Sequence, residues 1–451
     1  MGKFSVFTWA IVVALGGFLF GFDTAVISGA ERSIQLFWNL DVFQHGLTIS
    51  IALIGTVIGS LLGSGPSDRF GRKNTLYFIA LAFLLSALGT AMASSWPGFL
   101  AFRFLGGLGV GVSSVTAPIY ISEISPADRR GRLVALFQFN VVLGILISYL
   151  SNYLISQTGE SSWRWMLGVQ AVPSVIFLVL IYTIPESPRW LILKKGAIDQ
   201  ARKVLQIINP LNVEEELARI QKSAIAKGNS GTGTAEDAAA EKAAGHLFSP
   251  RYRKPVMLAV LFAFFNQVSG INAIIYYAPR IFEMAGLGAH SSLLSTVGIG
   301  SVNFIFTLLA INFIDRVGRK VLMKIGTVGL IASLLLVSFA FYTNNLSGFI
   351  IPLCLMLFIA FFAFSQGAVI WVFISEIFPN QVRAQGQTLG SSVHWVMATV
   401  IAFSFPYFAE KLGGGHTFLF FAVMMVLQLV FVWRMMPETK GRSLEQLEEG
   451  L

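Results

Sequence analysis

Charge is scarce in this chain. Only 12% of its 451 residues are Asp, Glu, Lys or Arg, where soluble globular domains carry about 25%, so an ordinary soluble protein is excluded. Cysteine is scarcer: Cys354 stands alone in an apolar run, which rules out an internal disulfide and suggests no thiol chemistry. The five histidines are scattered without metal-ligand spacing, and no Walker loop is present, so neither a metal site nor ATP-driven work is indicated. Gly106 to Gly111 follows no strand pattern and reads as helix-packing glycine, not a dinucleotide loop. No cofactor is expected, and no catalytic constellation suggests an enzyme.

Long apolar runs fill the space that charge leaves. Hydrophobic residues make up 55% of the chain, with 40 phenylalanines and 43 glycines, a composition that suits lipid-facing surface and close helix packing. A helix needs about 20 apolar residues to cross a bilayer. Runs of that kind fall near 7–29, 47–66, 74–93, 97–120, 130–156, 164–185, 254–283, 291–314, 321–343, 348–376, 384–410 and 416–436. The first has Lys3 ahead of it but ends without a clear cleavage site, so it reads as an uncleaved first helix. Gly55, Gly59 and Gly63 mark a close-packing face on the second. The one long connection, 186–253, mixes charged helical pattern (Val213 to Lys222) with a Gly/Ser/Thr/Ala stretch from Gly228 to Ala240. It divides the chain into halves 1–185 and 254–436, with a tail at 437–451.

The net charge of +9 sits on one side of the membrane, which argues against nucleic acid. With the termini and every even-to-odd loop on one side, Arg32, Arg164, Arg280 and Lys411 fall on the other and Arg103 falls inside a run. All remaining Lys and Arg share the side of the termini. That side is therefore expected to be cytoplasmic.

The two halves repeat each other. Asp68-Arg69-Phe70-Gly71-Arg72-Lys73 returns as Asp315-Arg316-Val317-Gly318-Arg319-Lys320. Ser122-Glu123-Ile124 with Arg130 returns as Ser375-Glu376-Ile377 with Arg383. Pro185-Glu186-Ser187 returns as Pro437-Glu438-Thr439. Three matches in one order at nearly equal offsets indicate an internal duplication. The repeated residues (Asp68, Arg69, Arg72, Glu123, Arg130 and Glu186; Asp315, Arg316, Arg319, Glu376, Arg383 and Glu438) cluster at cytoplasmic helix ends. They are expected to form a gate of inter-helix ion pairs that exists when that side is closed, or else only to enforce orientation.

Charges inside a span are expensive and face a partner or a cavity. Asp23 and Arg103 both fall toward the outer half, where they can pair. The pair reads either as a proton site, its affinity set by the Asp–Arg distance, or as a static tie between helices. Polar groups also line the spans: Gln138, then Asn266, Gln267, Asn272, Asn303 and His394, accompanied by Tyr276, Trp371 and Trp395. Amides offer donors and acceptors to a ligand covered in hydroxyls, and tryptophan can lie against a sugar ring. Singly, each reads as glue between helices before it reads as a ligand contact; their concentration in the second half is what favours a site.

Taken together, DRFGRK, DRVGRK, PESPRW (185–190), SEIFP (375–379), PETKG (437–441), GFDTAVISG (21–29) and NQVSGINAIIYY (266–277) resemble the sugar porter branch of the major facilitator superfamily. The resemblance covers essentially the whole chain. It implies an all-α membrane protein of twelve helices in two pseudo-symmetric six-helix bundles, joined by a cytoplasmic helical linker. Bacterial sugar–proton symporters of that family carry an aspartate at the position of Asp23 and its arginine partner at Arg103. The family's sugar contacts fall on Phe20, Gln138, Gln267, Asn272, Tyr276, Asn303, Gly367, Trp371 and Trp395. Three positions depart from its pattern: Asn266 stands for a glutamine, Ala368 for the helix 10 proline, and His394 for an amide. The expected protein is a monomeric plasma-membrane symporter of a proton with a monosaccharide, most simply a hexose such as glucose or galactose. A pentose symporter and an uncoupled uniporter are the alternatives.

Overall fold

The computed structural model of the protein describes residues 2–440 apart from 127–128, 160, 230–246, 345–347 and 380–381. The tail beyond Lys440, most of the Gly228–Ala240 stretch and the side chain of Asp315 lie outside the described residues. Among the described residues every regular element is helical. Twelve helices are long and apolar enough to cross a membrane. They are α1 (Val6–Phe37), α2 (Val42–Leu62), α3 (Arg72–Met92), α4 (Trp96–Ile124), α5 (Arg130–Thr158), α6 (Ser162–Ile181), α7 (Pro250–Met284), α8 (Ala289–Ala310), α9 (Arg319–Tyr342), α10 (Ile350–Glu376), α11 (Arg383–Lys411) and α12 (Gly413–Arg434). Between α6 and α7 run short helices, including Ile198–Ile208 and Val213–Asn229. Arg202 of the first reaches Glu214 of the second at 2.8 Å.

Packing divides the chain into two compact units. One comprises residues 1–23, 55–144 and 167–244; the other comprises 24–54, 145–166 and 245–451. In lipid, helices gain little from hiding apolar surface, so they associate where small residues let backbones meet. The first unit shows this along α2 and α4. A Cβ on Gly55 would stand 2.5 Å from the Phe104 carbonyl oxygen, and one on Gly111 would meet the Thr56 carbonyl. Gly144 of α5 likewise faces the Phe18 carbonyl of α1.

The second unit holds α7 to α12, with α9 packed along α10 and α12 and α7 along α11. It also holds the ends of α1, α2 and α5 that lie away from the termini. The Tyr149 hydroxyl of α5 donates to the Ile275 carbonyl at 2.8 Å, and that of Tyr277 donates to the Ala402 carbonyl at 2.8 Å. Asn152 donates to the Val26 carbonyl at 3.0 Å, through space that Gly29 leaves open. Gly46 of α2 rests against the Phe403 carbonyl of α11.

Two spans of this unit are broken. α7 consists of Arg253–Val268 and Ile271–Met284, separated at Ser269 and Gly270; Gly270 lies in the left-handed region at φ 89°. α10 consists of Ile350–Phe364 and Gln366–Glu376, separated at Ser365 with φ −119° and ψ −87°. The break in α10 forms although Ala368 replaces the proline. Ser365 presses on Gly326 of α9, where any larger residue would collide with it.

Candidate functional site

In the first unit, α1 and α4 bring Asp23 and Arg103 together. Arg103 Nη1 donates to Asp23 Oδ1 at 3.0 Å and Nη2 approaches the Asp23 carbonyl at 3.4 Å. Both residues are 1% exposed. Gly106, one turn along α4, makes room for Ser86, whose hydroxyl a Cβ there would strike, while Asp23 Oδ1 would be left in ordinary contact at 3.4 Å. Arg103 Nε has no partner among the described residues, so the guanidinium depends chiefly on this one carboxylate. Removing one partner of such a buried pair leaves a lone charge and costs about 3–5 kcal/mol. Protonation of Asp23 would do the same chemically, which makes the pair a place where a proton can change helix packing. Phe20, a turn before Asp23, is half-buried with its ring 6.4 Å from Phe137, and Gln138 is exposed.

In the second unit a directed chain of amides follows the break in α7. Asn272 Nδ2 donates to Gln267 Oε1 at 2.5 Å. Gln267 Nε2 donates to Asn266 Oδ1 at 2.9 Å and faces the His394 ring nitrogens at 3.0 and 3.2 Å. Asn266 Nδ2 reaches the Gln366 carbonyl at 3.5 Å. Because the amide nitrogen can only donate, it needs a lone pair on the imidazole, and neutral His394 supplies one. Residues 267 and 272 would be poorly aligned on an unbroken helix; the turn at Ser269-Gly270 brings them within hydrogen-bond reach. Trp371 and Trp395 each stand 4.9 Å from the His394 ring, and Trp371 is 38% exposed. Tyr276 is buried, whereas Asn303 and Gly367 are half-buried. All of these residues lie in the second unit, and the amides, His394 and the two indoles stand close together.

At the terminal ends of the helices the repeated motifs form the same structure twice. In the first unit Arg72 Nε and Nη2 clasp Glu123 at 3.0 and 3.1 Å, while Nη1 binds Asp68 at 3.0 Å. Glu186 accepts the backbone N–H groups of Arg72, Lys73 and Ser187 at 3.0, 3.1 and 2.8 Å, and Ser187 Oγ donates to Glu123 at 2.6 Å. In the second unit Arg319 Nη2 and Nε clasp Glu376 at 2.8 and 3.2 Å. Glu438 accepts the N–H groups of Arg319 and Lys320, each at 3.0 Å, and Thr439 Oγ1 donates to Glu376 at 2.6 Å. Arg130 and Arg383 each donate to a nearby backbone carbonyl, of Ser122 and Phe378 respectively. Arg69 and Arg316 are exposed. Each network joins three helix ends within its own unit.

The carboxylates at the heart of the two networks differ electrostatically. Burial pushes the Glu186 carboxyl above its ordinary value, outweighing the backbone donors and Arg72. Burial also pushes on Glu438, but its four backbone N–H donors together hold it below the ordinary value. Sequence reasoning passes over Ser187 and Thr439, although the PES and PET repeats signal them. It also passes over the buried pair Gln366 and Gln428 (2.8 Å) and a cluster of buried Glu31 and His45 with half-buried Arg280, which no repeat marks.

The chain matches the family described as Sugar (and other) transporter over residues 9–451. The arabinose-proton symporter of Bacillus subtilis is 38% identical over 442 residues, which covers 96% of this chain and 92% of that protein. The glucose transporter GlcP of Staphylococcus epidermidis is 38% identical over 445 residues, covering 98% and 96%. A solved structure titled as the inward open conformation of the xylose transporter XylE from E. coli superimposes with a TM-score of 0.85 at 33% identity, covering 98% of this chain and 99% of that one. Proteins of this family move sugars and are not enzymes. With twelve apolar helices, a duplicated motif set and these matches along nearly its full length, the chain belongs to the sugar (and other) transporter family and has the major facilitator fold.

Proposed function

We propose that this protein carries a monosaccharide and a proton together into the cell. The Asp23–Arg103 pair, buried and 3.0 Å apart, carries the reading. A buried carboxylate paired with one arginine offers a proton a place where its binding alters helix packing. The charge bias of the loops supports a plasma-membrane protein with cytoplasmic termini. In the proposed cycle sugar and proton enter from outside, and protonation releases Arg103 from Asp23. The halves then rearrange and sugar leaves inward. The amide chain Asn272–Gln267–Asn266, His394, Tyr276, Asn303, Gly367 and the indoles of Trp371 and Trp395 form the sugar-facing set of the second unit. Phe20 and Gln138 are the candidates of the first. The paired networks around Arg72 and Arg319 are the candidates for the cytoplasmic gate, as ion pairs made while that side is closed and released when it opens.

A hexose such as glucose or galactose is the expected substrate. The names of the relatives include a glucose transporter, an arabinose symporter and a xylose transporter, so a pentose is the reading to test beside it. The experiment is uptake of labelled glucose, galactose and xylose into proteoliposomes, with and without an inward proton gradient, by wild type and Asp23→Asn. Gradient-driven accumulation that the variant loses while still exchanging sugar supports symport, and the sugar accumulated names the substrate. Equal, gradient-independent uptake by both proteins would make this a uniporter and Asp23 a structural partner only.

A further inference from the structure

α1 carries a second buried carboxylate, two turns beyond Asp23 and in the other unit. Glu31 is 1% exposed and His45 of α2 is 0% exposed. Their Oε2 and Nε2 atoms are 2.7 Å apart. From α7, Arg280 Nη1 reaches Glu31 Oε2 at 3.3 Å, Gln35 Oε1 at 3.1 Å and His45 Nε2 at 3.1 Å. His45 Nδ1 has no partner among the described residues. Arg32 and Glu283 form a further ion pair beside the cluster. The four residues come from three helices, α1 and α2 of the first sequence half and α7 of the second.

Burying ions is costly unless they remain paired. The cost is offset only while α1, α2 and α7 stay together. The placement of Arg280 adds a second point. It lies on the short helix Ile271–Met284, one turn beyond Tyr276 and two beyond Asn272. That helix is deformed between Tyr276 and Arg280: Tyr277 departs from helical geometry at φ −126° and Pro279 comes after it. Asn272, Tyr276 and Arg280 thus share one short helix, with its bend at Tyr277 between the sugar-facing residues and Arg280.

We infer that Glu31, His45 and Arg280 are positioning residues: an ionic latch that closes the outer ends of α1, α2 and α7, with Arg280 coupling sugar at Asn272 and Tyr276 to closure. This rests on the sugar-transport reading and its orientation. A transporter of this kind must hold one side shut while the other opens, and the latch supplies a discrete element with two arrangements, paired and unpaired. Neither Glu31 nor Arg280 need touch the sugar.

The test uses the full chain in proteoliposomes, with Cys354→Ser and a reporter Ala402→Cys. Ala402 is fully buried on α11, and only its backbone carbonyl receives the Tyr277 hydroxyl. The readout is the rate at which a membrane-impermeant maleimide, added outside, reacts with the reporter. Adding Glu31→Gln or Arg280→Gln is expected to speed labelling about fivefold or more, the lower end of ordinary coupling between sites. Saturating sugar should slow labelling in the reporter protein and leave the Arg280→Gln form unaffected. The double variant Glu31→Gln/Arg280→Gln, which leaves no lone buried charge, should label like the single ones and keeps the test valid if they do not fold. Wild-type labelling rates in the double variant would overturn the latch. Sugar protection that persists unchanged in the Arg280→Gln form would overturn the coupling through Arg280. Absence of sugar transport by wild type itself would instead remove the sugar reading.

Discussion

The two Asp-Arg-x-Gly-Arg-Lys motifs owe their glycines to backbone geometry and not to lipid. Gly71 has φ 92° and ψ 162°, and Gly318 has φ 97° and ψ 155°, a region that costs other residues about 1–3 kcal/mol. A side chain would also meet the carboxylate that the motif recruits: a Cβ on Gly318 would lie 2.8 Å from Glu438 Oε2, and one on Gly71 would collide with Glu186. Gly71→Ala or Gly318→Ala should therefore lower thermal stability in detergent by more than the strain alone, because the backbone donors to that carboxylate are displaced with it. A substitution of exposed Gly131, which has nothing within 4 Å, is the control, and a matching loss there would refute the account. The carboxylates themselves predict a pH difference. Glu438, held below its unfolded value of about 4.3, stabilises the fold fully above that value, and the contribution fades as pH falls through its depressed native value. Glu186, raised above the same reference by burial, carries a charging penalty that is present at neutral pH and disappears as pH falls below its native value. At pH 7 Glu438→Gln should accordingly lower the unfolding temperature more than Glu186→Gln, with the gap narrowing toward pH 4. Unfolding temperatures that keep the same gap across that range would refute the assignment.

At the scale of helices, the twelve spans are legible because each run satisfies the length a bilayer demands. The close-packing glycines are legible too: Gly55 and Gly59 at four-residue spacing meet the backbone of α4 where small residues are also concentrated. The breaks are not. In α7 the Ser269-Gly270 dipeptide is a turn signal hidden within an apolar run, and its consequence, an amide chain running from Asn272 through Gln267 to Asn266, depends on three-dimensional alignment. In α10 the sequence suggests a doubtful break once proline is gone, yet Ser365 breaks the helix, and buried Gln366 anchors the second half of the span by donating to Gln428 Oε1 of α12 at 2.8 Å. The Gln366 carbonyl receives Asn266 in turn, so the tie extends to the candidate sugar site. Gln428→Leu should leave Gln366 Nε2 with only the weak Met425 sulfur acceptor at 3.4 Å, cost about 1–3 kcal/mol of stability and raise the KM for sugar more than it lowers the maximal rate. Gln428→Glu, which keeps an acceptor, should restore much of the affinity. A Gln428→Leu protein with wild-type KM would show that Gln366 packs the break without positioning Asn266.

Across the whole molecule, α1 is the element through which both buried ion clusters are expressed. It holds Asp23 against Arg103 of α4 in one compact unit and Glu31 against Arg280 of α7 in the other. The first pair can be anticipated from sequence, because a charge in a span calls for a partner and both lie toward the same face of the membrane. The second cannot, since Arg280 reads as an ordinary loop-proximal arginine until Glu31 and His45 are found beside it. Asp23 serves either as a proton carrier or only as a counter-ion, and the arginine offers the cleaner test. Arg103→Gln removes the counter-charge of Asp23 and leaves the carboxyl in place. If Asp23 is the carrier, Arg103→Gln and the double variant Asp23→Asn/Arg103→Gln should both exchange labelled sugar between equal concentrations and neither should accumulate it under an inward proton gradient. If the pair is only a tie, the double variant, which removes both charges together, should accumulate sugar almost as wild type does while Arg103→Gln alone fails through misfolding. Counterflow and gradient-driven uptake measured on the same vesicles separate these outcomes, because exchange reports a folded, cycling protein and accumulation reports the proton.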